Sequence, residues 1–212
     1  MPEGFYFTQN EKNSFAAWLE NVPLKRDKTV YLFDGSQKKN QSAQYAVVDV
    51  SVGEKILQQC ADAVMRLRAE YLFSQQKFKE IVFIDNAGKE YHFTSPYTQQ
   101  NFTVYLEKVF GMCGSASLSK QLKTVNEFSK IKAGDVIIKG GFPGHAVIVM
   151  AVAINDLGKK IFLLAQSYMP AQDVHVLLNP TIEKLSPWYR VVKENIIITP
   201  EFVFHHNQLM EW

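Results

Sequence analysis

Residues 131–169 constrain the fold of this 212-residue chain more than any other stretch. Turn signals and β-branched runs alternate along it: a turn at 133–135, a strand at 136–138, a glycine-rich loop at 140–144, a strand at 146–152, a turn at 155–158 and a strand at 161–164. Three glycines and a proline within residues 140–144 suit neither helix nor strand. The stretch therefore predicts three consecutive strands, of which the last two form a hairpin.

A polar histidine, His145, lies at the open end of this otherwise apolar hairpin, away from the turn. A turn centred between residues 156 and 157 places His145 opposite Tyr168 and Val147 opposite Gln166, so that all four share one face of the hairpin. His145 and Gln166 are then diagonal neighbours, about 7–8 Å apart and within reach of long side chains. A glutamine carbonyl oxygen can fix the second ring nitrogen of a histidine base. A slip of one residue would turn Gln166 to the other face.

The segment from Ser51 to about Gln75 carries the strongest helical pattern. Ser51 and Glu54 have the spacing of a capping box. Apolar residues recur at helical spacing along one face: Ile56, Leu57, Cys60, Ala61, Val64, Leu67, Tyr71 and Leu72. We expect the face of Ile56, Val64, Leu67 and Tyr71 to pack on the sheet that contains residues 146–152. A helix with these bounds places Cys60 more than two turns inside it.

The remaining segments complete an α+β pattern in which helices come early and antiparallel strands mostly later. We predict strands at 29–33, 45–50, 81–84, 91–93, 174–178 and 196–198, and helices at 102–113 and 117–125. A hydrophobic content of 47% in 212 residues is enough to bury a core without disulfides or metals. The chain is expected to form a single domain over residues 1–212, with a core at about 45–178 and decorated termini.

Composition and charge exclude several classes of protein. A net charge of +2 favours neither a nucleic-acid partner nor a membrane surface, and Lys25-Arg26 and Lys38-Lys39 are expected to be solvated loop residues. No apolar run of membrane-spanning length occurs, which predicts no membrane span. The N-terminus lacks the pattern of a signal peptide, so we expect an intracellular protein unless a leader was removed, and an exported one in that case. The oligomeric state stays open.

Two cysteines, Cys60 and Cys113, are too few for a disulfide framework. Neither a C-x-x-C pair nor a Cys/His cluster occurs, so we predict no metal site and no cofactor. A thiol on a helix and a histidine on a sheet, far apart in sequence, are instead the parts of a cysteine nucleophile system. Cys113 is the weaker candidate, because a helix C-terminus disfavours a thiolate. The alternative is that Cys60 is a small buried hydrophobe and His145 a structural histidine.

Three segments carry a resemblance to a known family. Gln59–Val64, at a helix, resembles the Asp-Cys-Ser-Gly-Phe-Val motif of the NlpC-type cell-wall peptidases, which are papain-like. Ile131–Ile137 followed by Gly144–Val149 is similar to the Pro-Gly-Asp-Leu and His-Val-Gly-Ile strand pair of that family. The similarity covers about residues 55–170. It differs in lacking Asp-Cys-Ser-Gly and in having glutamine where histidine or asparagine is usual.

The resemblance implies a papain-like α+β fold, an antiparallel sheet packed against a central helix, and a catalytic set of Cys60, His145 and Gln166. Cys60 would attack a peptide carbonyl, His145 would act as its base, and Gln166 would orient the histidine. Candidate substrate-binding residues beside this set are Gln59, Ser167 and Tyr168. The implied function is a cysteine peptidase or amidase, with cell-wall-like peptides as one substrate class.

The whole chain also resembles an uncharacterised family of Bacteroidetes proteins, many of them exported. The segments that carry this similarity include the helix around Cys60 and residues 166–172. It implies no activity. Two alternatives to the hydrolase therefore stay open: a non-catalytic module that binds a glycan, a peptide or another protein through the same cleft, and a purely structural partner protein.

Overall fold

The computed structural model of the protein describes residues 1–191 and 195–212. Its α-helices are α1 (Phe15–Glu20), α2 (Cys60–Ser74), α3 (Gln99–Met112) and α4 (Ser115–Gln121). Its first strands are β1 (Phe5–Phe7), β2 (Gln44–Val47), β3 (Val82–Ile84), β4 (Glu90–His92), β5 (Lys123–Thr124) and β6 (Val136–Lys139). The others are β7 (His145–Asn155), β8 (Lys160–Gln166), β9 (His175–Leu177), β10 (Tyr189–Arg190), β11 (Ile196–Ile198), β12 (Val203–His205) and β13 (Leu209–Glu211).

Across the described residues, one antiparallel sheet of nine strands dominates the fold, with the order β2-β9-β8-β7-β6-β13-β5 and with β1 and β10 added to β7 and β8. The predicted hairpin of β7 and β8 forms its centre. Ile148 pairs with Ala165 and Val149 with Leu164, which is the predicted register. A bulge at residue 150 shifts the pairs nearer the turn by one residue. The β-hairpin prediction is therefore confirmed at the end that carries His145.

Alternation along β7 divides the core between the two faces of the sheet. Ala146 and Ile148 belong to a cluster that includes the buried residues of α2, whereas Val147 and Val149 belong to a second cluster with Phe204 of β12. The sheet is thus covered by helices on one face and by C-terminal segments on the other. Mixed α+β architecture with a large antiparallel sheet is confirmed.

The central helix begins nine residues later than the sequence pattern predicts. Helix α2 starts at Cys60, and the preceding segment is a loop in which Ser51 Oγ accepts a hydrogen bond from the Gly53 N–H at 3.1 Å. Gly53 has φ +78°, a conformation that interrupts a helix. Asp62 instead caps the helix by accepting from the Gln59 N–H at 2.9 Å. The prediction that placed Cys60 inside the helix was therefore wrong.

Several other predicted elements differ in extent. The strand predicted at 29–33 is replaced by two isolated bridges, Tyr31 with Gln37 and Leu32 with Gln172. The helix predicted at 102–113 begins at Gln99, because the Thr98 side chain caps it. The hairpin of β3 and β4 is confirmed. None of the helices in residues 1–191 and 195–212 is long and apolar enough to cross a membrane.

Candidate functional site

Cys60 is the first residue of α2, so its thiol lies at the end of the helix where backbone N–H groups have no helical acceptor. The backbone N–H groups of Ala146, Ala61 and Cys60 itself lower the pKa of the thiol and so favour its thiolate. Ala146 is the neighbour of His145 in β7. The start of α2 and the start of β7 therefore bring the two predicted catalytic residues into one region.

One contact of the Ser167 side chain, to Gln58, joins the start of α2 to the end of β8. The Ser167 hydroxyl lies 2.8 Å from the Gln172 carbonyl oxygen and 3.1 Å from that of Gln58. Gln58 lies two residues before Cys60 in the chain. Since Ser167 follows Gln166 directly, this contact holds the nucleophile candidate near the end of the strand that carries Gln166.

Burial and the nearby backbone N–H groups shift the pKa of the Cys60 thiol in opposite directions. Cys60 is 9% exposed, and burial raises the pKa of its thiol, while the N–H groups of Ala146 and Ala61 lower it in part. Cys113 caps the C-terminal end of α3, as predicted, and burial followed by Asp85 and Asp62 raises its pKa to about 11. Both thiols are consequently protonated at neutral pH.

His145 is the first residue of β7 and is held by Gln166 of β8. Its Nε2 lies 2.7 Å from Gln166 Oε1, the contact that the predicted hairpin register implies. The ring packs against Tyr168 and Phe202 at centroid distances of 4.7 and 4.9 Å and is 2% exposed. Burial lowers the pKa of His145 to about 4, against the opposing effects of Gln166 and Glu201. The imidazole is therefore neutral at neutral pH.

A buried chain of polar groups continues from Gln166 to the C-terminal part of the chain. Gln166 Nε2 donates to Glu201 Oε2 at 2.7 Å, and Lys38 Nζ lies 2.6 Å from the same oxygen. Asn40 Nδ2 donates to Glu201 Oε1 at 3.3 Å. Lys38 is 8% exposed, so its prediction as a solvated loop residue was wrong.

Glu201 was missed by sequence reasoning. It lies between β11 and β12, far from the motifs that single out the other site residues, and is 163 residues from Lys38 and 35 from Gln166. A glutamate after a proline in a short connection gives no pattern that points to a site. Only the packing of the β11–β12 hairpin against the sheet brings it to Gln166.

The thiol and the imidazole are close in the fold but are not joined directly. Among the described residues, no hydrogen bond links Cys60 Sγ to the His145 ring, and the N–H of Ala146 is the group of β7 that lowers the pKa of the thiol. Alternation along β7 directs His145 to the side of Phe204, whose ring lies 5.7 Å away between centroids. The thiol and the imidazole are therefore not in hydrogen-bond contact in this structure.

The three predicted substrate-binding residues occupy different environments. Gln59 is half-buried at the position preceding α2, and Tyr168 is half-buried over the His145 ring. Ser167 is completely buried, and its hydroxyl contacts backbone carbonyl oxygens only. In the structure Ser167 thus has backbone contacts and no access to a ligand, whereas Gln59 and Tyr168 border the Cys60–His145 region.

The best-defined clefts of the described residues lie away from this region. One of them, of about 720 Å³, is lined by Asn155 at the opposite end of β7 and by Lys160 and Arg190. Cys60, His145 and Gln166 line none of the four best-defined clefts of the described residues. Within residues 1–191 and 195–212, no group of three or more His, Cys, Asp or Glu side chains is arranged to hold a metal ion.

Comparison with protein families gives a match over essentially the whole chain. The model described as domain of unknown function (4846) matches residues 1–98 and 85–211. No curated protein and no solved structure matches the chain.

Proposed function

The chain belongs to the family of the domain of unknown function 4846, and we propose, from its own site, that it is a cysteine hydrolase acting as a peptidase or amidase. The observation that carries the proposal is the position of Cys60 at the first residue of the central helix, where the backbone N–H of Ala146, the residue next to His145, lowers the pKa of its thiol. His145 is in turn oriented by Gln166 at 2.7 Å. A nucleophile, a base and a group that orients the base are the parts such catalysis requires.

The reaction follows from the roles of these groups. His145 removes the thiol proton, and Cys60 Sγ attacks the substrate carbonyl carbon. The backbone N–H of Cys60 and the Gln59 side chain donate to the resulting oxyanion. The tetrahedral species expels the amine, which takes the proton from His145 and leaves an acyl group on Cys60. His145 then deprotonates a water molecule, which attacks the acyl group. The acid is released, and His145 returns the proton to the Cys60 thiolate.

Both reacting groups start neutral, which sets the expected pH dependence. Because burial lowers the pKa of His145 to about 4, the base is free at neutral pH. Because burial raises the pKa of the Cys60 thiol, the thiolate forms only when the base accepts its proton or when the pH is high. We therefore expect turnover to increase from neutral to alkaline pH.

The test is a hydrolysis assay on muropeptides and generic peptide libraries with four proteins: the unmodified chain, Cys60→Ala, His145→Ala and the matched control Cys113→Ala. We expect turnover by the unmodified chain and by Cys113→Ala, and loss of at least about a hundredfold in the other two, since the nucleophile and the base are both required. Mass spectrometry should show an acyl group on Cys60. Turnover that persists in Cys60→Ala would exclude the mechanism.

A second function, a non-catalytic binding module on the same framework, is favoured by the burial of the site. Cys60 and His145 are 9% and 2% exposed, and the four described clefts lie elsewhere. In that case the unmodified chain cleaves nothing in either panel, and His145→Ala weakens ligand binding only modestly. A purely structural histidine would instead show a lower melting temperature in His145→Ala, because Gln166 would lose its buried partner, at a cost of about 1–3 kcal/mol.

A further inference from the structure

We propose that Glu201, held by Lys38, is a positioning residue that fixes the tautomer of His145 through Gln166, leaving the Nδ1 lone pair as the base. The inference rests on the proposed function for its catalytic meaning. Its structural content, the location of one proton on His145, can be measured independently of activity.

The direction of each hydrogen bond between Lys38 and His145 follows from which groups can donate and which can accept. A lysine ammonium only donates and a carboxylate only accepts, so the Lys38–Glu201 pair at 2.6 Å fixes the character of Glu201 as an acceptor. Gln166 must then turn its amide nitrogen to Glu201, at 2.7 Å. Its carbonyl oxygen is left facing His145 Nε2 at 2.7 Å, and a carbonyl oxygen requires a donor.

His145 must therefore carry its proton on Nε2. A neutral imidazole has one proton, so Nδ1 is unprotonated and can accept a proton from a thiol. Gln166 alone cannot impose this choice, because an amide presents either its oxygen or its nitrogen after a half-turn. The carboxylate of Glu201 removes the second option, and the burial of Lys38, Gln166 and His145 limits the access of water to these bonds.

Removal of the carboxylate releases this constraint. Lys38 and Gln166 both contact Glu201 Oε2, so in Glu201→Gln one amide oxygen still accepts from both and the original tautomer should be retained. In Glu201→Leu no acceptor remains opposite the Gln166 amide nitrogen, and the amide can turn either its oxygen or its nitrogen to His145. An N–H facing Nε2 requires a lone pair there, which moves the proton to Nδ1 and removes the base.

The experiment is ¹⁵N NMR of histidine-labelled full-length protein in mildly alkaline buffer, where long-range proton–nitrogen correlations distinguish the two tautomers. The chain has five histidines, and His145→Gln identifies the signals of His145 by their loss. The matched control is Glu211→Gln, since Glu211 is ion-paired with a lysine, Lys132, outside the site. We expect the Nε2–H form in the unmodified chain, in Glu211→Gln and in Glu201→Gln, and appearance of the Nδ1–H form in Glu201→Leu.

Two results overturn the inference: an Nδ1–H tautomer in the unmodified chain, or an unchanged Nε2–H tautomer in Glu201→Leu. If Glu201→Leu does not fold, Glu201→Gln decides, because loss of the Nε2–H form there contradicts the polarity argument. When turnover is measurable, we expect kcat/KM to fall further in Glu201→Leu than in Glu201→Gln. A chain that cleaves nothing but shows the expected tautomers removes the proposed hydrolase and leaves the positioning role of Glu201 intact.

Discussion

The Cys60 thiol is under two opposing influences that depend on where its helix begins. Inside a helix, a cysteine on an apolar face is simply a small hydrophobe. At the first residue of α2 the same side chain gains backbone N–H donors that stabilise a thiolate, while burial disfavours it. The residue type was therefore identifiable from the sequence as a candidate nucleophile, but its environment depended on a helix boundary.

We predict that iodoacetamide modifies Cys60 before Cys113 in the folded protein. The carboxylates of Asp85 and Asp62 add to burial in raising the pKa of Cys113 to about 11, so that about one molecule in ten thousand is a thiolate at neutral pH. Cys60 has N–H donors that favour its thiolate. Mass spectrometry of partly labelled protein identifies the modified residue. Labelling of Cys113 first, with Cys60 protected until unfolding, would mark Cys60 as a plain core residue.

Among the elements, α2 was predicted correctly where apolar periodicity reflects burial, and wrongly at the residue where it begins. Val64, Leu67 and Tyr71 are buried as the pattern predicts, and α2 packs on β7. Ile56 is 56% exposed, because its segment is a loop. Apolar spacing continues through residues 51–59 by coincidence, and the glycine conformation and the cap at Asp62 that decide the boundary depend on tertiary structure.

The packing of α2 on the sheet predicts a difference between two apolar residues of the same predicted stripe. Leu67→Ala should lower the free energy of unfolding by about 2–5 kcal/mol, because Leu67 is completely buried and its loss leaves a cavity. Ile56→Ala should change it by less than about 0.5 kcal/mol, the usual range for exposed positions. Urea denaturation followed by circular dichroism measures both. Equal effects would contradict the helix boundary that places Ile56 in a loop.

For the molecule as a whole, long-range contacts complete what local patterns could not predict. The hairpin register, and with it the His145–Gln166 contact, follows from residues within 25 positions of one another. The Lys38–Glu201 pair joins segments 163 residues apart, and neither belongs to a recognisable motif. The strand predicted at 29–33 is replaced by two isolated bridges, a local one of Tyr31 with Gln37 and a long-range one of Leu32 with Gln172. Sequence reasoning therefore found the His145–Gln166 contact of the candidate site and missed the Lys38–Glu201 pair that contacts Gln166.

Two buried carboxyl groups should make the stability of the whole molecule depend on pH. Burial raises the pKa of both Asp62 and Asp135 to about 7, from an ordinary value of 3.8. Each has one oxygen that accepts a backbone N–H and one buried oxygen that has no hydrogen-bond partner among the described residues. The folded state thus holds these protons more tightly than the unfolded state. Their stabilising effect is complete below about pH 4 and is lost as the pH rises to about 7.

We therefore expect the contribution of each of these two groups to the free energy of unfolding to fall by up to about 4 kcal/mol as the pH rises from about 4 through about 7, and to become constant about one pH unit above that. The double variant Asp62→Asn/Asp135→Asn keeps an oxygen that can accept each backbone N–H but cannot titrate, so this decline should disappear. Urea denaturation of both proteins at several pH values gives the difference between their unfolding free energies. That difference should change in favour of the double variant as the pH rises. Parallel curves over this range would show that neither carboxyl group titrates differently in the folded and unfolded states.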